Sequence, residues 1–376
     1  MNWTLVSERV EELRKRAGIS KSKLAQATGY SPSMINRILD AKRGVGPTGL
    51  VNLARFFDVP LSVLVDGPLP ADKPLLHFKD EDRTVFPEAL YPRAKGYAYR
   101  FADTHHLLFG PAIDLGSVRP KLRDPAERGA RAADNLRMEL GHPEGKIASM
   151  VEFVTRLGIA VAEVDDRKHR LKGVTFRWEQ DVQLMVVAAD LRIASKRFIL
   201  AHELGHLVLE DLQGSINRRK NGREELNLDF FAADPHEQAA NAFAARLLLP
   251  EEDLKPFVEG RRVLKAGNPV DVWQNEIAHL SREYGVSAEL VYWRLCQAGM
   301  FSQALARKYK KTLYVHPCSQ GALDTVFLET EDCTRLTLSG MQPSQRYRNW
   351  ISILTARDSI NQDEAAHLLG PYQEAA

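Results

Sequence analysis

From its amino end the chain sets short apolar stripes at helical spacing between polar turn words. Val10, Leu13 and Ala17 recur three or four residues apart, the interval of one helix face, with Ser7 as a candidate cap and Gly18 as a stop. Ser20 can cap a second helix bearing Leu24, Ala25 and Ala27 that ends at Thr28-Gly29. Its third position holds Lys23 in place of Glu or Gln, so there is no capping box. Ser31 followed by Pro32 opens a third helix, since proline suits the first helical position. Met34, Ile35 and Ile38 form its buried side, while Ser33, Asn36 and Arg37 face elsewhere. Leu50, Leu53, Ala54 and Phe57 follow Gly46-Pro47, and Leu61, Val63 and Leu64 finish the run before Asp66-Gly67-Pro68.

The pattern then changes. Gly67-Pro68-Leu69-Pro70 and the polar run Lys79–Arg83 read as a connector. Tyr91, Tyr97, Tyr99 and Phe101 make the next stretch aromatic enough to be ordered, and Leu107, Leu108 and Phe109 are expected to form a short strand. His105 and His106 are adjacent, so their side chains point apart and do not make a ligand pair. Helical spacing returns at Ala133, Leu136 and Leu140, and again from Ile147 through Met150, Val151, Val154 and Leu157 to Gly158. Ile159-Ala160-Val161, Gly173–Trp178 and Leu184–Ala188 read as strands of a small sheet. A helix from about Ser195 to Glu210 follows, and Asp234-Pro235 is a cap-plus-proline start for another that ends before Pro250. Asp253–Val258 and Trp273–Leu295 are expected to be helical, the second broken at Gly285-Val286-Ser287. Beyond Gly299 come three strand-like words, TLYVHP, DTVFLET and TRLTLSG, then a last helix at Glu364–Leu369.

Length and composition narrow the classes. The 376 residues are 44% hydrophobic and 27% charged, the balance of a globular chain with room for several domains. That composition argues against a wholly disordered, collagenous or membrane-embedded protein, and no apolar run is long enough for a spanning helix. The start lacks the apolar core of a signal peptide, and three scattered cysteines make no disulfide framework. A cytoplasmic, reduced setting is therefore expected. His316, Cys318 and Cys333 lack the spacing of a zinc knuckle and are expected to be ordinary side chains. The net charge is only +2, but residues 1–66 hold ten Lys/Arg against six Asp/Glu, leaving −2 for residues 67–376. The basic excess is confined to the amino-terminal helices.

Two short helices around a glycine-bearing turn, with further helices behind, make a helix-turn-helix arrangement. RVEELRKRAGISKSKLAQATGYSPSMINRILDAKRG, followed by LVNLARFFDVPLSVLV, resembles the DNA-binding domain of Xre/Cro/lambda-repressor type regulators. The resemblance implies that the helix from Ser31 enters the major groove of double-stranded operator DNA. Ser31, Pro32, Ser33, Asn36 and Arg37 would then face DNA, while Lys21, Lys23, Lys42 and Arg43 contact phosphates. Lys21 stands where many relatives have Gln, which favours a phosphate contact over base readout. Such domains usually act as pairs on two half-sites, so a homodimer is implied.

The helix KRFILAHELGHLVLE carries the chemistry. Its His202-Glu203-Leu204-Gly205-His206 is HExxH, which places two imidazoles one turn apart on one face, suited to a single zinc ion. Glu203 sits on the adjoining part of that face, placed to take a proton from water without binding the metal. Two histidines leave zinc short of the usual three protein ligands of a catalytic site. The helix opened by Asp234-Pro235 offers His236 and Glu237 in its first turn, about 100° apart around the axis. Small residues at Ala240 and Ala244 would let it approach the histidine helix closely.

HELGH followed by EQAANAFAARLLLP resembles the ImmA/IrrE family of metallo-endopeptidases, with the likeness running from about Ala132 to Gly299. The resemblance implies a zincin-like fold, with His202, His206 and Glu237 holding one zinc, or another divalent ion such as Mn2+. It also implies Glu203 as general base and acid, and Asn241 as a residue that orients a ligand. The expected fold is mainly α with α+β: an all-α helix-turn-helix domain at 1–67, a connecting region at 68–130, a zincin-like domain with a small sheet at 131–300 and an α+β sensing or interaction part at 301–376. The family is associated with cleavage of Xre-type repressors in stress, phage and mobile-element settings. The expected protein is a DNA-binding regulator that cleaves a repressor or itself, with no membrane segment. The other reading is a transcription factor whose protease-like domain serves as a sensor or as an antitoxin-like partner-binding module. The intact HExxH favours the first, because Glu203 would be dispensable in a dead scaffold.

Overall fold

The computed structural model describes residues 2–16, 19–57, 59, 61–65, 75–76, 86–87, 90–165, 171–178, 182–210, 217–218, 234–254, 269–298, 331–337 and 341–370. Five helices form the amino-terminal head: α1 (Trp3–Arg16), α2 (Lys21–Thr28), α3 (Pro32–Leu39), α4 (Pro47–Phe57) and α5 (Leu61–Val65). Val6, Val10, Leu24, Ile35, Ile38, Leu50, Leu53 and Leu64 meet in its core. Ser20 and Ser31 cap α2 and α3 by accepting from the backbone N–H groups of Lys23 and Met34. Ser7 is not a cap. The helix begins four residues earlier, where the Asn2 side chain accepts from Leu5 N–H, and the Ser7 hydroxyl instead donates to the carbonyls of Trp3 and Ile38.

The body is a mixed sheet with helices on both faces. Its strands are β1 (Leu75–Leu76), β2 (Ala160–Val164), β3 (Leu171–Arg177), β4 (Gln183–Ala188), β5 (Asn217–Arg218), β6 (Thr334–Leu336) and β7 (Met341–Gln342). Their spatial order is β1-β3-β4-β2-β6-β7, with β5 also on the outer edge of β3. β2 runs parallel to β4 and β6, while β3 is antiparallel to β4. Because both faces are covered, β2 and β4 read as almost continuous apolar runs.

Strand alternation sends side chains to two separate cores. Val161, Met185 and Val187 face α7 (Pro125–Glu139), α8 (Met150–Arg156), α9 (Ile193–Leu209), α10 (Pro235–Leu248), α11 (Pro269–Tyr284) and α12 (Ala288–Gln297). Ala162, Val174, Phe176, Leu184 and Val186 face α6 (Tyr91–Phe109), α13 (Gln345–Ala356) and α14 (Gln362–Leu369). Helix α14 lies between α6 and α4 of the head.

One expected element changes. Leu107, Leu108 and Phe109 end a 19-residue helix, α6, and form no strand; Phe109 packs edge-on against Trp350 of α13. TLYVHP and DTVFLET lie outside the described residues, as do His316 and Cys318, whereas TRLTLSG supplies β6. Residues 331–337 and 341–370 extend the same sheet and second core as β2, β3 and β4. The adjacent histidines do point apart: His105 is buried with a ring nitrogen on the Arg156 carbonyl, and His106 is exposed.

Helix α6 also carries a half-buried acid, Asp103. Burial pushes the Asp103 carboxyl up to about 7. A carboxyl whose folded value is raised favours the folded state below its unfolded value, and that contribution is lost as pH rises towards the folded one. Asp103→Asn removes this loss. Its melting temperature should gain about 2–5 °C on the native protein between pH 5 and pH 8; a gap that stays constant across that range contradicts the assignment.

Candidate metal centre

Helix α9 is apolar on nearly all sides and buried along its length, as expected of a core helix. Its Gly205 is set by contact with α10: a Cβ there would come within 3.1–3.2 Å of Phe243 and the Ala240 backbone. On the far side of α10, a Cβ on Gly129 of α7 would lie 2.0 Å from the Ala239 carbonyl. Glycine and alanine at these crossings let α10 sit tightly between α9 and α7. Asp234 caps α10 by accepting from His236 N–H, Pro235 occupies the first turn, and Glu237 follows.

The result is a convergence of donors. His202 Nε2 and His206 Nε2 are 3.0 Å apart, and the two carboxylate oxygens of Glu237 lie 3.4 Å from one and the other. One ligand atom from each of the three residues lies within 4.8 Å of the others. His236 is not part of this group. Two imidazole nitrogens and one carboxylate oxygen are the donor set of a three-ligand catalytic metal site, which leaves a further position open. The residues fit a divalent metal.

Electrostatics match that geometry. Burial alone would push His202 down, but Glu237, Glu203 and Asn241 outweigh it and hold the imidazole above its ordinary value. Glu237 is half-buried, which alone would raise its carboxyl, yet its hydrogen bonds to His202 and His206 keep it far below the usual range. Burial pushes the Glu203 carboxyl up, opposed by the two imidazoles and a hydrogen bond from Thr175. Asn241, one turn beyond Glu237 and buried, reaches His202 with its side chain. Glu203 is 3% exposed; Thr175 on β3 donates to its Oε2 at 2.7 Å, while Oε1 has no hydrogen-bond partner among the described residues. No local spacing in the sequence points to Thr175, which comes from another element 28 residues away.

The head keeps its candidate contacts on the outside. Ser31, Pro32, Ser33, Asn36 and Arg37 of α3 are exposed, as are Lys21, Lys23, Lys42 and Arg43. Ala41 turns left-handed at the end of α3 and Lys42 N–H returns to the Arg37 carbonyl, so Lys42 and Arg43 are held just past the helix. Lys42 also pairs with Asp40 at 3.1 Å.

Fold and site together define a metallopeptidase-like body joined to a helix-turn-helix head. Residues 154–295 match the model of the IrrE N-terminal-like domain of the M78 peptidases, and residues 6–65 match a helix-turn-helix domain model. The chain thus joins a segment similar to each of these two domain families. No curated protein matches it. Among the described residues, no helix is long and apolar enough to cross a membrane.

Proposed function

We propose that this protein is a DNA-binding transcriptional regulator whose body is a zinc-dependent endopeptidase. It cleaves a repressor-type protein, or its own chain, to switch a stress, mobile-element or defence response. The observation that carries the reading is the meeting of His202, His206 and Glu237 beside a buried carboxylate with one oxygen held and the other open. Zinc held there would supply a Lewis acid that polarises water and the scissile carbonyl.

The chain's own residues do the rest. Glu203 Oε1 takes the proton of the attacking water and returns it to the leaving nitrogen, which lets a poor leaving group depart as an amine. Asn241 keeps the His202 ring in its ligating orientation. The buried helices around the site exclude bulk water from that proton's path. One segment of the chain pairs with the strand of Thr175: β1, from the stretch between head and body, runs antiparallel to β3 at Phe176 and Arg177. That placement favours the chain itself as one substrate.

At the other end, α3 enters the major groove with Asn36 and Arg37 at base edges, while the four exposed cations outside α3 hold phosphates. Two copies read two half-sites. The test is co-expression with an Xre-type repressor: the native chain should yield defined repressor or self-derived fragments that the Glu203→Gln chain does not. Identical fragment patterns from both would overturn the reading.

A further inference from the structure

We propose that Thr175 is a positioning residue for Glu203, fixing one carboxylate oxygen so that the other is presented to the reacting water; this rests on the peptidase reading above. The strand is placed for it by a glycine. Gly173 and Thr175 share the face of β3 that meets α9, and a Cβ on Gly173 would lie 2.2 Å from Ile199 Cγ2. Only a residue without a side chain lets β3 come so near. Two residues along, that approach puts a β-branched side chain within reach of the helix.

What Thr175 does there is specific. It is 6% exposed, and its hydroxyl donates to Glu203 Oε2 at 2.7 Å, a charge-assisted bond when the acid is ionised. The hydroxyl of a strand threonine can otherwise turn to nearby backbone; here it reaches a carboxylate on a different element. Glu203 has three rotatable bonds before its carboxylate, and burial restricts the side chain without choosing which oxygen faces the metal ligands. The bond from Thr175 makes that choice. Oε1, buried and without a partner among the described residues, is left as the acceptor. Threonine serves better than serine only in packing; either supplies the donor.

The test uses full-length protein with zinc loaded and the repressor that the co-expression experiment identifies. Thr175→Val keeps the shape and removes the hydroxyl, and should lower kcat about 10–100-fold, the value of one hydrogen bond to a charged group. KM and the zinc content should not change, and Thr175→Ser should recover turnover to within about threefold of native. Native kcat in Thr175→Val, or a loss that Thr175→Ser does not restore, overturns the proposal. A crystal structure of zinc-loaded Thr175→Val gives a second readout that needs no turnover. The Glu203 carboxylate should be rotated or split between conformers with His202, His206 and Glu237 in place; a carboxylate that has not moved overturns the proposal. Failure of the native chain to cleave any repressor would instead strike the peptidase reading, and leave the structural readout to decide on Thr175.

Discussion

Glu203→Gln is expected to retain one zinc per chain and to lose about 10²–10⁴-fold in turnover, the usual worth of a positioned proton acceptor and donor. The two states differ in little else. Glutamine has the shape of glutamate and still offers a carbonyl oxygen to the Thr175 hydroxyl, so the buried pocket of Glu203 stays filled and bonded. It has no oxygen able to take a proton. Removing a carboxyl that burial already pushes up also relieves the fold of a costly group, so the melting temperature should hold or rise. Turnover within a factor of two of native would remove Glu203 from the chemistry.

The second large effect lies away from the metal ligands. Glu331→Ala is expected to cost about 3–5 kcal/mol, on the order of 10 °C in melting temperature, because it strands a buried cation. Arg197 of α9 is 1% exposed; its Nη1 donates to Glu331 at 2.9 Å and to the Ala148 carbonyl, and its Nη2 donates to the Ile147 carbonyl. Glu331 in turn accepts from Ser149 Oγ and from the N–H groups of Met150 and Val151, at the positive end of α8. One carboxylate thus ties three parts of the body together: α8, the metal-site helix α9 and the strand region that follows residue 331. The pair of exposed Arg156 with Glu152 on α8, at 3.7 Å, is the control; breaking it by Arg156→Ala should cost less than about 0.5 kcal/mol. Equal losses from the two variants would contradict the assignment, and Glu331→Gln, which keeps the acceptor, should fall between them.

How much of this was legible depended on how local each signal is. Ser31-Pro32 and Asp234-Pro235 mark helix starts within two residues, and both helices begin there. His202 and His206 share a face because four residues is about one turn, which no tertiary context alters. Ser7 misled because a capping residue at the start of an apolar stripe is also a good helix interior residue when its hydroxyl has a carbonyl to meet, here that of Ile38. Leu107-Leu108-Phe109 looked like a strand because three apolar residues fit either element; packing against Trp350 settles it as helix. Helix α13, between TRLTLSG and the last helix, is not among the expected elements, although Tyr347, Trp350, Ile351 and Leu354 fall at helical spacing. Thr175 and Glu331 could not be read, since their partners lie 28 and 134 residues away and a single threonine or glutamate carries no pattern.

The central claim, that His202, His206 and Glu237 hold a catalytic metal, is tested most directly by elemental analysis of the purified full-length chain. The account predicts close to one zinc per native chain, and a loss of more than about 90% in His206→Ala with the fold retained by circular dichroism, since only two of the three protein ligands remain. A native chain free of metal after zinc loading, or a His206→Ala chain that keeps its full complement, would contradict it.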